Sequence, residues 1–214
     1  MCILNFFCVM NFFRGHSFRE IIKLFFSRYC ATEWNKMHYL RLNTDLEVIE
    51  KRLTGFDLEV LPLTIDMVLA GDKNVFNGKK LELYKSRLQD PTYHGYGIMK
   101  EGRLIYSTWF STDNLGLPIV SKRIPLMPNE GLLEDSYCAP EARGQGLHGK
   151  MNYYRLKKLH ELGKDRVLAI VLDGNIPAMK VQLKSGFEEL GVFYLGRFLG
   201  IKFCTLKKER YDER

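Results

Sequence analysis

The stretch from Leu132 to Phe187 holds the glycines, the arginine and the helix-start residues best suited to bind an anion. Pro140 to Gly146 reads as a loop carrying Arg143, Gly144 and Gly146, set between an extended apolar run, Leu132 to Ala139, and a helical pattern from Leu147 to Leu162 closed by Gly163. A glycine loop that opens a helix after a strand is suited to phosphate, because the backbone can approach closely and the first amides of the helix point at the anion. Arg143 adds a planar cationic fork beside them. The same glycines also serve as an ordinary strand-to-helix turn. Farther along, Arg166 to Asp173 holds the unbroken run Val-Leu-Ala-Ile-Val-Leu, the pattern of a strand covered on both faces. Asn175 stands at a helix start with Pro177 just inside it, and Gly186-Phe187 closes that helix with a C-terminal glycine and an apolar anchor.

The elements that must hold these residues follow from the order strand, helix, strand, helix, which requires a crossover and at least one parallel strand pair. In the first helix Leu147, Met151 and Tyr154 form an apolar stripe with Leu159 and Leu162 beside it; Leu156 falls off that face, and Lys157 and Lys158 occupy the later turns. Upstream, Tyr93 to Met99 and Leu104 to Phe110 flank Lys100-Glu101-Gly102-Arg103 and predict a β-hairpin. Asn74 to Leu88 predicts a helix weakened by Gly78, and His38 to Ile65 reads as extended pieces, notably Leu58 to Leu63. Asp113 to Pro118 and Pro125 to Gly131 read as loops. The sum is a mixed sheet with helices on its faces.

Of the 214 residues, 46% are hydrophobic and 27% charged, the balance of a globular chain able to bury a core without metals or disulfides. Two units are expected: an apolar and amphipathic helical segment over 1–36 and one larger domain over 37–214. In the first unit, Phe18, Ile21, Ile22, Phe25, Phe26 and Tyr29 recur at helical spacing opposite Arg19, Lys23 and Arg28. The favoured reading is a helix packed on the domain behind it; the other is peripheral contact of residues 1–30 with an anionic membrane surface. Met10 and Met37 leave a downstream start open. The five cysteines are odd in number and lack metal-ligand spacing, which suggests a reducing, cytoplasmic setting and no metal site. A net charge of +7 would suit any polyanion, but the basic residues are dispersed and no nucleic-acid module is present, so nucleic acid is not an expected partner. No G-x-S-x-G, no G-x-x-x-x-G-K-[ST] and no His/Cys metal pattern occurs.

The loop Arg143-Gly144-Gln145-Gly146-Leu147-His148 resembles the R/Q-x-x-G-x-G/A motif of the GCN5-related N-acetyltransferases, and the run from Asn175 through Ala178 and Lys184 to Gly186-Phe187 resembles their N-x-x-A-x-x-L-Y-x-K-x-G-F motif. The resemblance implies an α/β fold with a mixed, mostly antiparallel sheet, a splayed parallel central strand pair and helices on both faces. It implies acetyl-coenzyme A as cosubstrate, with no metal. The pantetheine arm would pair with Tyr137, Cys138 and Ala139, and the pyrophosphate would sit on the amides from Arg143 through Gly144, Gln145, Gly146, Leu147 and His148 to Gly149.

The implied reaction is direct transfer of an acetyl group to the amine of a small molecule or amino sugar. The ammonium must first lose a proton, which a carboxylate can take. Leu133-Glu134-Asp135 is similar to the L-E-D segment of diamine-type members. On a regular strand Glu134 and Asp135 point to opposite faces, so Glu134 alone is expected to reach the amine. Two departures from the family pattern stand out. His148 occupies a position normally Gly or Ala, and is read as a neutral surface histidine. Gln182 replaces the tyrosine that protonates the departing thiolate in many members, leaving Tyr137, Tyr194 or solvent as substitutes. Cys138 could form an acyl-enzyme but has no evident His partner. The alternatives are an acyl-coenzyme A binding module that has lost transfer and an acyltransferase using a longer chain. The acceptor pocket is expected among the early helices, the hairpin around Trp109 and the tail strands from Val192 to Thr205.

Overall fold

The computed structural model describes residues 33–117, 121–198 and 201–208. The amphipathic segment over 1–30 lies outside the described residues. Strand β1 (Glu33–Asn43) is followed by α1 (Leu46–Leu53), β2 (Leu61–Pro62), α2 (Ile65–Leu69), α3 (Gly78–Gln89) and the hairpin β3 (Tyr93–Lys100) and β4 (Arg103–Ser111). Then come β5 (Asn114–Leu117), β6 (Lys122–Pro125), β7 (Glu130–Cys138), a 3₁₀ turn (Pro140–Ala142) and α4 (Leu147–Glu161). The chain continues through β8 (Arg166–Leu172), α5 (Ile176–Lys184), β9 (Glu188–Phe198) and β10 (Ile201–Lys208).

Eight strands form one sheet in the order β10-β9-β1-β8-β7-β4-β3-β2, and β5 and β6 form a separate ribbon. The pairing of β7 with β8 is parallel, because α4 carries the chain back across the sheet between them; the other pairings are antiparallel. This parallel ladder runs only from Glu130↔Arg166 to Leu133↔Ala169. Beyond it the strands part, since β7 continues along β4 while β8 continues along β1 to Leu172. The mixed sheet with a splayed parallel pair expected from the sequence is therefore the observed fold.

Period-two alternation divides the core. Val167, Ala169 and Val171 of β8 face α1, α4 and α5 together with Ile49, Leu156 and Phe187. Leu168 and Ile170 face the other way, against Leu115 and Leu117 of the ribbon and Phe193 and Leu195 of β9. On this second face, at the β3–β4–β7 end, Tyr84 of α3 meets Trp109 edge-on at 5.1 Å.

Several expectations are corrected. β1 starts at Glu33, pairing with Arg197, where the extended reading starts at His38. Within the stretch read as extended, Leu46–Leu53 is helical: the Asp45 carboxylate accepts from the Glu47 and Val48 amides at 3.0 and 3.3 Å, and Lys51 and Arg52 lie in the last turn. The apolar stretch Leu58 to Leu63 contributes only the two-residue strand β2. α3 starts at Gly78 because Asn77 is an extended N-cap and Gly78 has φ +42°. Of the two segments read as loops, the first forms β5, which pairs with β6 from the stretch between them and turns Leu115 and Leu117 onto the sheet, and the second ends inside β7 at Glu130-Gly131. On α4, Leu156 is buried and Leu162 is exposed; the buried face runs through Met151, Asn152, Arg155, Leu156 and Leu159, and Leu162 is already the C-cap. The β3–β4 hairpin forms as expected, with Glu101 and Gly102 at φ +50° and +74° in its two-residue turn.

His38 of β1 ties the ends of two neighbouring strands together. Its Nδ1 lies 2.7 Å from Glu189 and its Nε2 2.9 Å from Asp173, which also meets Lys36 at 3.2 Å. Burial alone would lower the His38 pKa, but the bonds to Glu189 and Asp173 outweigh it and raise the value. A histidine whose folded pKa is raised contributes stability that is complete below its unfolded value, about 6.5, and is lost as pH climbs through the folded value. Urea denaturation of His38→Gln against the native protein is therefore expected to show the largest stability difference near pH 5.5 and a diminishing one toward pH 9. An equal difference at both ends contradicts the assignment.

Candidate active site

β7 is not a regular strand where it leaves β8. Phe110 pairs with Leu133 and Thr108 with Ser136, so Trp109 alone opposes both Glu134 and Asp135. That two-against-one register is a β-bulge, which inserts one residue and turns the following side chain. Leu133 packs on the α4 face and Tyr137 on the α3 face, against Phe76. Alternation from Leu133 puts Glu134 on the α3 face, and the inserted residue puts Asp135 there too. The expectation that the two carboxylates diverge is thus overturned, because strand periodicity does not survive a bulge.

Both carboxylates meet one face of α3, formed by Lys80, Tyr84 and Arg87 at helical spacing. Arg87 Nη2 donates to Glu134 Oε2 at 2.7 Å, the Tyr84 hydroxyl donates to Asp135 Oδ2 at 2.9 Å, and Lys80 Nζ stands 3.1 Å from the same oxygen. Side-chain exposure is 16% for Glu134 and 11% for Arg87, so their pair is largely withdrawn from water. Burial raises the Glu134 pKa; the Arg87 charge and hydrogen bond oppose it without cancelling it. Burial, reinforced by Asp135, holds the Tyr84 phenol protonated well above its ordinary value.

The far end of β7 leads into the glycine loop. Tyr137 is buried, which raises its phenol pKa, and burial likewise pushes up the Cys138 thiol. The Cys138 carbonyl accepts from Arg143 Nε at 3.2 Å, and the Ala139 amide donates to Ile105 at 2.9 Å. Gly144 and Gly146 have φ +77° and +73°, a conformation that side chains disfavour, and a Cβ on either or on Gly149 would meet nothing within 4 Å. Gly146 is the N-cap of α4 and offers no side chain to its amides.

Gly146, Gly149, Lys150 and Tyr153 of α4 line an open pocket with Lys51 and Arg52 of α1. Lys150 Nζ donates to the carbonyls of Arg52 and Thr54 at 2.9 and 3.1 Å, capping α1 and docking its basic end beside the loop. The sequence carries a signal for α1 in Asp45 and the Lys51-Arg52 pair, but none for its docking on α4. Of the remaining loop residues, Gln145 donates to Glu141 at 3.2 Å and the Leu147 side chain is buried.

His148 is not a surface residue. It sits in the first turn of α4, which folds it inward, so that its Nδ1 lies 2.6 Å from the Tyr106 hydroxyl; burial, aided by the Arg155 charge, pushes its pKa down to about 4. In the second motif, Asn175 Oδ1 accepts from the Ala178 amide at 3.3 Å and caps α5, Ala178 packs against the core, and Lys184 is exposed. Gln182 is buried, and its side-chain oxygen accepts from Asn152 Nδ2 at 3.3 Å. Among the described residues there is no cluster of three or more metal-type ligands and no helix long and apolar enough to cross a membrane.

The solved structures similar to this chain include a protein of unknown function from Staphylococcus epidermidis, 10% identical, with 84% of this chain and 67% of that one covered at a TM-score of 0.56. A Drosophila protein is 15% identical, with coverage of 85% and 57% and a TM-score of 0.54. A GCN5-related glucosamine N-acetyltransferase region of a fungal multi-domain GH3 β-N-acetylglucosaminidase is 14% identical, with coverage of 86% and 23% and a TM-score of 0.54. The chain thus spans about two thirds or less of the length of these proteins. The architecture is the GCN5-related N-acetyltransferase fold. No family model matches the sequence, and no curated protein matches it.

Removing one partner of a buried ion pair leaves the other charged and desolvated, at a cost of about 3–5 kcal/mol. Arg87→Met is therefore expected to lower unfolding stability at pH 7 by about 3 kcal/mol, and the double variant with Glu134→Gln by clearly less. Equal losses in chemical denaturation of the two would show that Arg87 contributes only packing.

Proposed function

We propose that this chain is an N-acetyltransferase that moves an acetyl group from acetyl-coenzyme A directly to an amine of a small molecule or amino sugar. One observation carries the reading: the gap between β7 and β8 opens beside two carboxylates turned to one face, and the strand that borders it ends in a glycine loop ringed by Lys51, Arg52 and Lys150. The residues fit the group. The edge of β7 that β8 leaves beyond Leu133 suits the amide-bearing pantetheine arm, and the uncapped start of α4 with its neighbouring cations suits the phosphates. Acetyl-coenzyme A supplies an activated thioester and a tolerable leaving group.

In this reading the amides from Arg143 to Gly149 hold the pyrophosphate, with Lys51 and Arg52 adding charge, while Asn175, Ala178 and Lys184 support the loop's far wall. Glu134 accepts the proton of the incoming ammonium. Its raised pKa makes it a better base than an exposed glutamate, and Arg87 keeps it ionised despite burial. Asp135 is held on the same face by Tyr84 and Lys80. Tyr137 is the proposed donor to the departing thiolate, since it stays protonated and borders the gap. Gln182 takes no part in the proton transfers. Cys138 is not the nucleophile, its raised pKa disfavouring the thiolate. The sheet domain from Glu33 onward is the catalytic unit, and the cytoplasm is its proposed location.

Saturating acetyl-coenzyme A is expected to raise the melting temperature of the protein, and Lys51→Ala/Arg52→Ala to weaken binding roughly tenfold, a loss of about 1.4 kcal/mol, with a flatter salt dependence. With an amine found by screening thiol release and product mass, Glu134→Gln should retain cofactor binding while turnover falls at least ~100-fold. Full turnover by Glu134→Gln at saturating amine would remove it from the mechanism; the absence of any melting shift would count against the whole reading.

A further inference from the structure

A bulge leaves backbone carbonyls without their ladder partners, and buried carbonyls must be satisfied some other way. Here one side chain does so from the opposite face of the sheet. Arg155 of α4 is 1% exposed, and its Nη1 donates to the carbonyl oxygens of Trp109 and Glu134, each at 3.1 Å. Those two residues are the bulge itself. The guanidinium is aimed by its other nitrogen: Nη2 donates to Asn152 Oδ1 at 2.8 Å, one helical turn earlier. Asn152 Nδ2 in turn reaches Gln182 Oε1 at 3.3 Å and Ser185 Oγ at 2.9 Å, at the end of α5. All these hydrogen bonds of Arg155 end on neutral oxygens, so a full charge is buried for the sake of two carbonyls in mid-strand. An apolar residue of similar length would be the cheaper way to fill the space.

We propose that Arg155 is a positioning residue of the active site: it clamps the Trp109 and Glu134 carbonyls together, fixes the bulge, and so keeps Glu134 and Asp135 on the same face. Asn152, Gln182 and Ser185 extend the clamp to α5, which gives position 182 a role in place of acid catalysis. The inference rests on the reading of Glu134 as proton acceptor, yet its structural half can be tested without it. The charged and titratable groups facing Glu134 are Arg87 from α3, Tyr93 from β3, Asp135 from β7 and Arg155 from α4.

The test uses the full chain carrying Arg155→Met, Arg155→Lys and Asn152→Ala. A crystal structure of Arg155→Met is expected to show the bulge relaxed or moved, with Asp135 released from Tyr84 and Lys80. With a working amine, turnover per folded molecule should fall by roughly tenfold or more while the KM for acetyl-coenzyme A stays nearly unchanged, and the acid limb of the pH–rate profile should move upward as Glu134 loses a neighbouring positive charge. Arg155→Lys should recover part of the turnover, because an ammonium can reach one carbonyl but cannot also hold Asn152. If Arg155→Met does not fold, Asn152→Ala, which keeps the guanidinium but frees it, should show the same changes to a smaller degree. An intact bulge in Arg155→Met, or native turnover and an unshifted pH profile in whichever variant folds, overturns the proposal. Failure of the transferase reading looks different: Glu134→Gln would be fully active, or no amine would be acetylated, while the bulge in the Arg155→Met crystal would still decide the clamp.

Discussion

Everything distinctive about the site depends on how β7 is bound differently on its two edges and along its two halves. Its first half is held between β4 and β8, so Leu132 and Leu133 alternate strictly into the two layers of the core. Its second half loses β8, gains an extra residue at Glu134-Asp135 and ends in a loop turned by glycines at positive φ. A strand with both edges satisfied cannot take an extra residue without leaving backbone groups unpaired. The splay and the bulge therefore belong together, and the buried guanidinium of Arg155 meets the demand they create.

The two layers serve different ends. On one face α1, α4 and α5 bury apolar side chains against β1 and β8, and the price of the polar cluster from Arg155 through Asn152 to Gln182 is met by that packing. On the other face α3 supplies Lys80, Tyr84 and Arg87 to two carboxylates, while the β5–β6 ribbon covers the apolar side of β8 and β9. The loop at the start of α4 sits where these layers meet the splayed gap. Lys150 brings the C-terminal end of α1 to it, so the cations beside the loop come from two helices that are far apart in the chain.

The second motif reads differently once its neighbours are in place. Asn175 caps α5 and Ala178 packs inward, both for local reasons that hold in any helix of that shape. Gln182 looks like a loss when compared with a tyrosine, but it is buried and bonded to Asn152. His148 makes the same point, since its imidazole turns to Tyr106 and stays neutral, away from any phosphate at the loop.

Local sequence was enough to specify the sheet with its crossover, the β3–β4 hairpin, the glycine loop and the two helices with their caps, because each is written in local periodicity, turn chemistry or capping residues. It failed where a partner outside the local window decides the outcome. Leu115 and Leu117 form a ribbon because a sheet face lies beneath them, and Leu156 is buried because α4 is rotated by its fit to that sheet. The direction of Asp135 is set by a register shift against Trp109, which strand alternation cannot foresee, and the presence of Arg155 beneath it is set by the crossover that lays α4 over β4. The backbone conformation of the loop was legible from its glycines at 144 and 146; where the side chains around it point was settled by packing, since pairing register and helix rotation are properties of contacts between distant segments.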